Sequence, residues 1–220
     1  MYRQPCRPPI SRMDATPPGS PLTLAHWRRT VAEMYAAVRQ ASLAERARAC
    51  ETFRLARDVL FKTHPQSPLT TEQRLHLTGL PYFPYEPAWR TIGVVDREVA
   101  AETFSVELPA EGLLTYTRVA RVRFEVQGVE GGLSMFWIQG YGGGLFLPFK
   151  DATSGRTSYG GGRYLYDTIK GADLGVGEQE VVLDFNYAYN PSCAYDDRWV
   201  CPLAPPENTL SFAMEAGEKI

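Results

Sequence analysis

The sequence predicts an α+β protein: an N-terminal helical segment followed by a mainly antiparallel β barrel or sandwich. Three observations carry this. Apolar residues recur every three or four positions through residues 23–64, the spacing of one helix face. From about residue 103 the period becomes two, the signature of strands with one dry and one wet face. Glycine-rich turns then punctuate short strands at the density of a small barrel or sandwich. Helices come first and strands later, which is segregated rather than alternating order. The expected organisation is a disordered leader over 1–22, a helical segment over 23–64 and a β-rich domain over 65–220.

Residues 1–21 contain six prolines and read as disordered; Met13 offers a shorter start. In the helical segment, Leu24, Trp27, Val31, Met34 and Val38 form one apolar stripe, and Leu43, Ala47, Cys50, Phe53 and Leu60 form a second. The two predict a helical hairpin or one bent helix. Ser42 and Glu45 fit a capping box at the second start, and Pro65 stops the run. Thr70 and Gln73 repeat the capping pattern ahead of a short helix that Gly79 is expected to end. Three prolines interleaved with Tyr82, Phe83, Tyr85 and Trp89 then predict an extended segment, packed on its own protein or holding a flat ligand. Val122, Phe124 and Val126 alternate with Arg121, Arg123 and Glu125. Residues 113–149 thus read as an antiparallel meander, with further strands near 163–166, 180–187 and 209–214.

Composition excludes several classes. The net charge of -2 argues against a nucleic-acid binder, which would be basic. Charge is uneven, however: residues 1–64 carry 11 Lys and Arg against 5 Asp and Glu (+6), and residues 65–220 carry 12 against 20 (-8). The segments should attract each other, or the basic one should meet an acidic partner or a second copy of the chain, making a homo-oligomer. No apolar run of about 18 residues exists for a membrane span, and the leader lacks the ~7–15-residue apolar core of a signal peptide. A cytoplasmic location is the expectation.

Eleven of the nineteen glycines fall in residues 128–162. "GYGGG" and "YGGG" resemble nucleotide loops only superficially. No GxxxxGK[ST] string occurs, and "YGGGRYLY" leads into a strand rather than a helix. Without a helix N-terminus a phosphate loses its anchoring dipole. These glycines read as turns, and Asp151 followed by Thr153, Ser154 and Gly155 is turn chemistry.

"LPFKDATSGRTSYGGGRYL", "LDFNYAYNPSCAY", "CPLAPPENTLSFAMEAGE" and the upstream "SPLTTEQRLHLTGLPYFPYEPAWR" resemble the conserved blocks of the domain of unknown function 1684 (DUF1684) family, over roughly residues 60–220. The resemblance implies a prokaryotic soluble protein, a bacterial one by expectation. It implies no established activity and offers no catalytic residues or cofactor.

The residues themselves point to two stretches, 151–163 and 184–195. Arg156 and Arg163 can donate to a carboxylate or phosphate. Tyr159 and Tyr195 offer rings and hydroxyls, and Asp184, Asn186 and Asn190 offer acceptors and amides. Asp184 and Asn186 fall on the face of their strand opposite Val181, Leu183 and Phe185, facing solvent or a cavity. Such convergent polar groups suit a pocket for a small polar or anionic ligand. The competing structural reading pairs Arg163 with Asp184 inside the protein. A hydrolase-like enzyme using Asp184, and an interaction protein docking through the helices, are the other functional readings. Cys193 and Cys201 are separated by seven residues, against the two to four usual in zinc pairs, and are expected to be redox-sensitive thiols rather than metal ligands.

Overall fold

The computed structural model describes residues 19–108 and 112–220; most of the expected leader, 1–18, lies outside them. Helix α1 (Pro21–Gln40) opens within the expected leader range, because Ser20 caps it: its hydroxyl accepts from Thr23 N while Thr23 Oγ1 accepts from Ser20 N at 2.8 Å. Ala41 then leaves helical geometry (ψ 127°), so the segment is a hairpin rather than one bent helix. The Ser42–Glu45 box forms as expected and starts a 3-10 turn that runs into α2 (Arg46–Thr63). The Thr70–Gln73 box starts α3 (Thr71–His76), which stops three residues before Gly79.

The β region is one sheet. Its strands are β1 (Arg90–Asp96), β2 (Thr103–Leu108), β3 (Gly112–Val126), β4 (Val129–Ile138), β5 (Gly144–Phe149), β6 (Arg163–Asp167) and β7 (Glu180–Asp184). The order is β6-β5-β4-β3-β1-β7, antiparallel throughout, with β2 also on β3. Long β3 serves both: its first half pairs β2 and its second half pairs β1. A register shift between Arg118 and Ala120 is the kind of irregularity that bends a strand. The sheet curls into a half-barrel. Tyr166 of β6 reaches across its open side, placing its hydroxyl 2.6 Å from the Val182 carbonyl of β7.

The main core combines Val122, Phe124, Leu133, Leu147, Leu165 and Leu183 of the sheet with Tyr35, Cys50 and Phe53 of the helices, all buried. Phe53 packs edge-on against both Tyr35 and Tyr187, each at 5.0 Å. Val31, Met34 and Val38 pack there too, whereas Leu24, Leu43 and Ala47 of the expected stripes are exposed and Trp27 packs against Phe61, Leu69 and Leu80 instead. Gly171 (φ 89°) permits the contact, since a Cβ there would lie 2.8 Å from Ala32 N and 2.9 Å from Arg28 O of α1. A smaller cluster of Tyr116, Phe136, Phe146 and Tyr164 fills a separate region of the domain.

Three sequence expectations change. Residues 209–214 form no strand. That segment runs beside the end of β5, with backbone-to-backbone bonds to Lys150 and Ala152. β7 ends at Asp184, because the Asp184 carboxylate accepts from Asn186 N and turns residues 185–187 into a 3-10 turn. β1 lies outside the expected strands. Among the described residues no helix is long and apolar enough to cross a membrane.

The C-terminal segment lacks a sheet ladder and depends on Arg163, whose buried guanidinium donates to the carbonyls of Met214 (2.8 Å) and Glu218 (3.1 Å) and to that of Ala216. Arg163→Ala should cost about 3–5 kcal/mol by stranding Asp151, a Tm fall of roughly 6–20 °C for a chain of this size. Arg163→Lys should recover little, having no planar fork. Thermal melts by circular dichroism check this; a shift within about 2 °C for Arg163→Ala would refute it.

Candidate functional site

The residues singled out by the sequence fall into four places. The first is Arg163, at the start of β6. Its Nη2 bonds Asp151 Oδ2 at 2.8 Å, and both side chains are fully buried. Asp151 Oδ1 accepts from Thr153 N at 2.8 Å and Met214 N at 3.1 Å. Burial draws the Arg163 pKa down and Asp151 opposes this. The partner is thus Asp151, twelve residues away, and not Asp184. The stretch between them is a turn, and Gly162 (φ 93°) closes it: a Cβ there would meet Phe149 O at 2.6 Å. Arg156 is exposed on this turn and does not converge with Arg163.

Asn190 and Tyr195 meet at a second place, around buried Glu218. Glu218 Oε2 accepts from Arg57 Nη2 at 2.8 Å and Asn190 N at 3.0 Å, while Tyr195 donates its hydroxyl to Oε1. Arg57 lies over the rings of Phe61 (4.4 Å) and Tyr189 (5.1 Å). Burial lowers the Arg57 pKa, but Glu218 together with Tyr195, Tyr82 and Tyr35 more than offsets it and holds the guanidinium charged. Burial and Glu218 push Tyr195 well up. Arg57 Nε, Tyr82 Oη and Asn190 Oδ1 are buried here without a partner.

Asp184 and Asn186 define the third place. Both are buried, so the face expected for them is covered rather than open to solvent at the end of β7. Asp184 Oδ1 accepts from Asn186 N (3.2 Å) and Nδ2 (2.9 Å), and Arg90 Nε lies 3.7 Å from Oδ2. Burial raises the Asp184 pKa. Asn186 grips the backbone of Glu86 with both side-chain atoms. Its carbonyl accepts from Arg54 Nη2 at 3.4 Å, while Arg54 Nη1 donates to Phe83 O at 3.0 Å. Arg54 also stacks on Tyr82 at 4.5 Å. Together with Arg48, Glu51, Leu55 and Tyr85 it lines a cavity of about 540 Å³. A second cavity, about 440 Å³, lies between α1 and α2 and is lined mainly by apolar side chains such as Met34, Val38 and Phe53.

The fourth place is the half-buried group of Tyr159, Cys193 and Cys201. The Tyr159 hydroxyl lies 3.4 Å from Cys193 O and 3.6 Å from Cys193 Sγ. Cys193 N donates to Cys201 Sγ at 3.4 Å, and both thiols are free. Among the described residues no group of three or more His, Cys, Asp or Glu is arranged to hold a metal ion.

Sequence reasoning missed Arg54, Arg57 and Glu218. The signal was present: Arg54 and Arg57 follow Cys50 and Phe53 at helical spacing on a stripe that faces the core, where unpaired charge is costly.

The fold and these places define an α+β protein with a half-barrel sheet, two helices over its core and polar groups buried along its C-terminal segment. The chain belongs to the family described as protein of unknown function DUF1684, which matches residues 76–219. It is also similar to the solution NMR structure of an uncharacterized protein of Haloarcula marismortui, at 37% identity and a TM-score of 0.57. The match covers 77% of this chain and 91% of that one. A search of curated proteins finds no match.

Asp184 yields a pH test. Its folded pKa is raised above the unfolded value of about 4, so the folded state favours the protonated acid. That contribution is full below the unfolded value and is lost as pH rises through the folded one. Asp184→Asn keeps an acceptor for Asn186 N and does not titrate. Its Tm should therefore gain on that of the parent chain as pH rises from the unfolded value of about 4 through the raised folded one. Parallel Tm–pH curves would refute the assignment.

Proposed function

We propose that this chain is a binding module for a small anionic molecule, held in the cavity bounded by Arg48, Arg54 and Tyr85. The observation that carries this is the state of Arg54. Its Nη atoms bond neutral carbonyls, its buried Nε has no partner, and among the described residues no carboxylate lies within ion-pair distance of it. A guanidinium so placed retains a net charge beside the cavity. Asn186 positions Arg54, and Asp184 holds Asn186 in turn. The basic balance of residues 1–64 supports an anion over a cation.

Calorimetric titration with inorganic phosphate and with citrate at low ionic strength tests the proposal. Binding should raise Tm with ligand concentration. Arg54→Gln should weaken it roughly ten- to a hundredfold, the worth of one charge-assisted hydrogen bond. Equal affinity in the variant, or no heat with either anion, would remove the proposal.

A second reading, a hydrolase-like enzyme with Asp184 as acid or base, draws support from the burial of that carboxyl and its raised pKa. Turnover of chromogenic phosphate or carboxylate esters that disappears in Asp184→Asn, with the fold retained, would favour it over simple binding.

A further inference from the structure

Outside the arginine cavity, the only half-buried pair of reactive side chains brought together by the loop after β7 is Cys193 with Cys201, among the described residues. The loop places them deliberately. Ser192–Ala194 form a 3-10 turn whose Cys193 N–H points at Cys201 Sγ, 3.4 Å away. The intervening chain is tied down on the far side. Trp199 Nε1 donates to Pro68 O at 3.0 Å, and Arg198 Nη2 lies 3.2 Å from both Pro68 O and Leu69 O. Beyond Cys201, the Tyr164 hydroxyl donates to Pro202 O at 2.5 Å. The two sulfurs are therefore held beside each other by contacts that do not involve sulfur, and Tyr159 stands over Cys193.

We propose that Cys193 and Cys201 are a reversible dithiol–disulfide couple that exchanges with low-molecular-weight disulfides, with Cys201 attacking and Cys193 resolving. The Cys201 sulfur receives the amide of Cys193 at 3.4 Å, which stabilises a thiolate at 201. Consistently, Cys201 is drawn down to about 6, chiefly by the neighbouring Cys193 side chain and against its own burial, while Cys193 is raised. Lys170 adds attraction for the thiolate.

The steps balance. Cys201 thiolate attacks one sulfur of RS–SR; that bond breaks, RS⁻ leaves and takes a proton from solvent, and Cys201–S–S–R forms. Cys193 then gives up its proton and attacks Cys201 Sγ, expelling the second RS⁻. The chain loses two protons and two electrons, and one disulfide becomes two thiols. Excess small thiol runs the sequence backwards.

The full-length chain, equilibrated with oxidised and reduced glutathione at several ratios, alkylated with iodoacetamide and analysed by intact mass and peptide mapping, tests this. An unalkylated Cys193–Cys201 bridge should accumulate as the oxidised fraction rises and vanish with excess reduced glutathione. Cys193→Ser should stop at a glutathione adduct on Cys201, and Cys201→Ser should react at least tenfold more slowly at pH 7. If both thiols of the unaltered chain remain alkylatable under oxidised poise, or bridge instead to Cys6 or Cys50, the couple does not exist. If the two variants form adducts at equal rates, the roles given to the two sulfurs are wrong. Because the unaltered chain reports directly on the bridge, a poorly folding variant leaves the main outcome readable.

Discussion

Four main-chain and side-chain acceptors along two segments depend on one guanidinium. Arg163 sits wholly inside the protein, bonded to Asp151 and to the carbonyls of Met214, Ala216 and Glu218. A charge moved from water to such a site carries a penalty of several kcal/mol, which a single ion pair rarely offsets. Here the offset comes from the backbone. Residues 209–218 thread between sheet and helices without a ladder, so their carbonyls need donors from elsewhere. An arginine can supply several from one plane, whereas an apolar replacement of the same volume would leave those carbonyls unpaired. The buried ion pair therefore defines the path of the chain end more than it adds stability in isolation.

A second buried ion pair engages the same segment from the other side. Arg57 of α2 meets the Glu218 side chain, while Arg163 meets the Glu218 carbonyl. One residue thus joins β6, α2 and the turn at Asn190. Groups linked this way polarise one another, and their deletions should not add. The arrangement also explains where the opposite charge of the two halves of the sequence goes. Part of the basic excess in residues 1–64 is neutralised by Arg57 on Glu218 and by Arg39 on Asp173 (3.6 Å).

What could be read from the sequence followed periodicity. The helical hairpin and the β3–β4–β5 meander have long, regular patterns whose faces are decided by local spacing, and the structure keeps them. The segment 209–214 has the same alternation, with Leu210 and Met214 buried, yet periodicity reports only which side faces inward. Whether a neighbour offers a ladder is a tertiary matter, and Lys150 and Ala152 offer only a few bonds. β1 escaped because it follows a proline- and aromatic-rich run and holds Gly93 at its centre, where a Cβ would strike Val122 at 2.4 Å. Partner choice was equally hidden. Arg163 and Asp184 both read as polar groups on strands, and only the turn through Gly162 brings Asp151 closer than Asp184.

The contrast between Arg54 and Arg57 follows from this. They are three residues apart on α2, share Tyr82 as a neighbour and each keep a buried Nε without a partner. Arg57 has Glu218 within 2.8 Å, so its charge is cancelled inside the protein and its role is complete when the chain folds. Arg54 has carbonyl partners only. Carbonyl dipoles orient a guanidinium and meet part of its hydrogen-bonding need, but they do not neutralise it. It lies instead at the wall of the cavity it shares with Arg48, Glu51 and Tyr85. The fold thus matches Arg57 and Arg163 to carboxylates, while Arg54 keeps carbonyl partners beside a cavity.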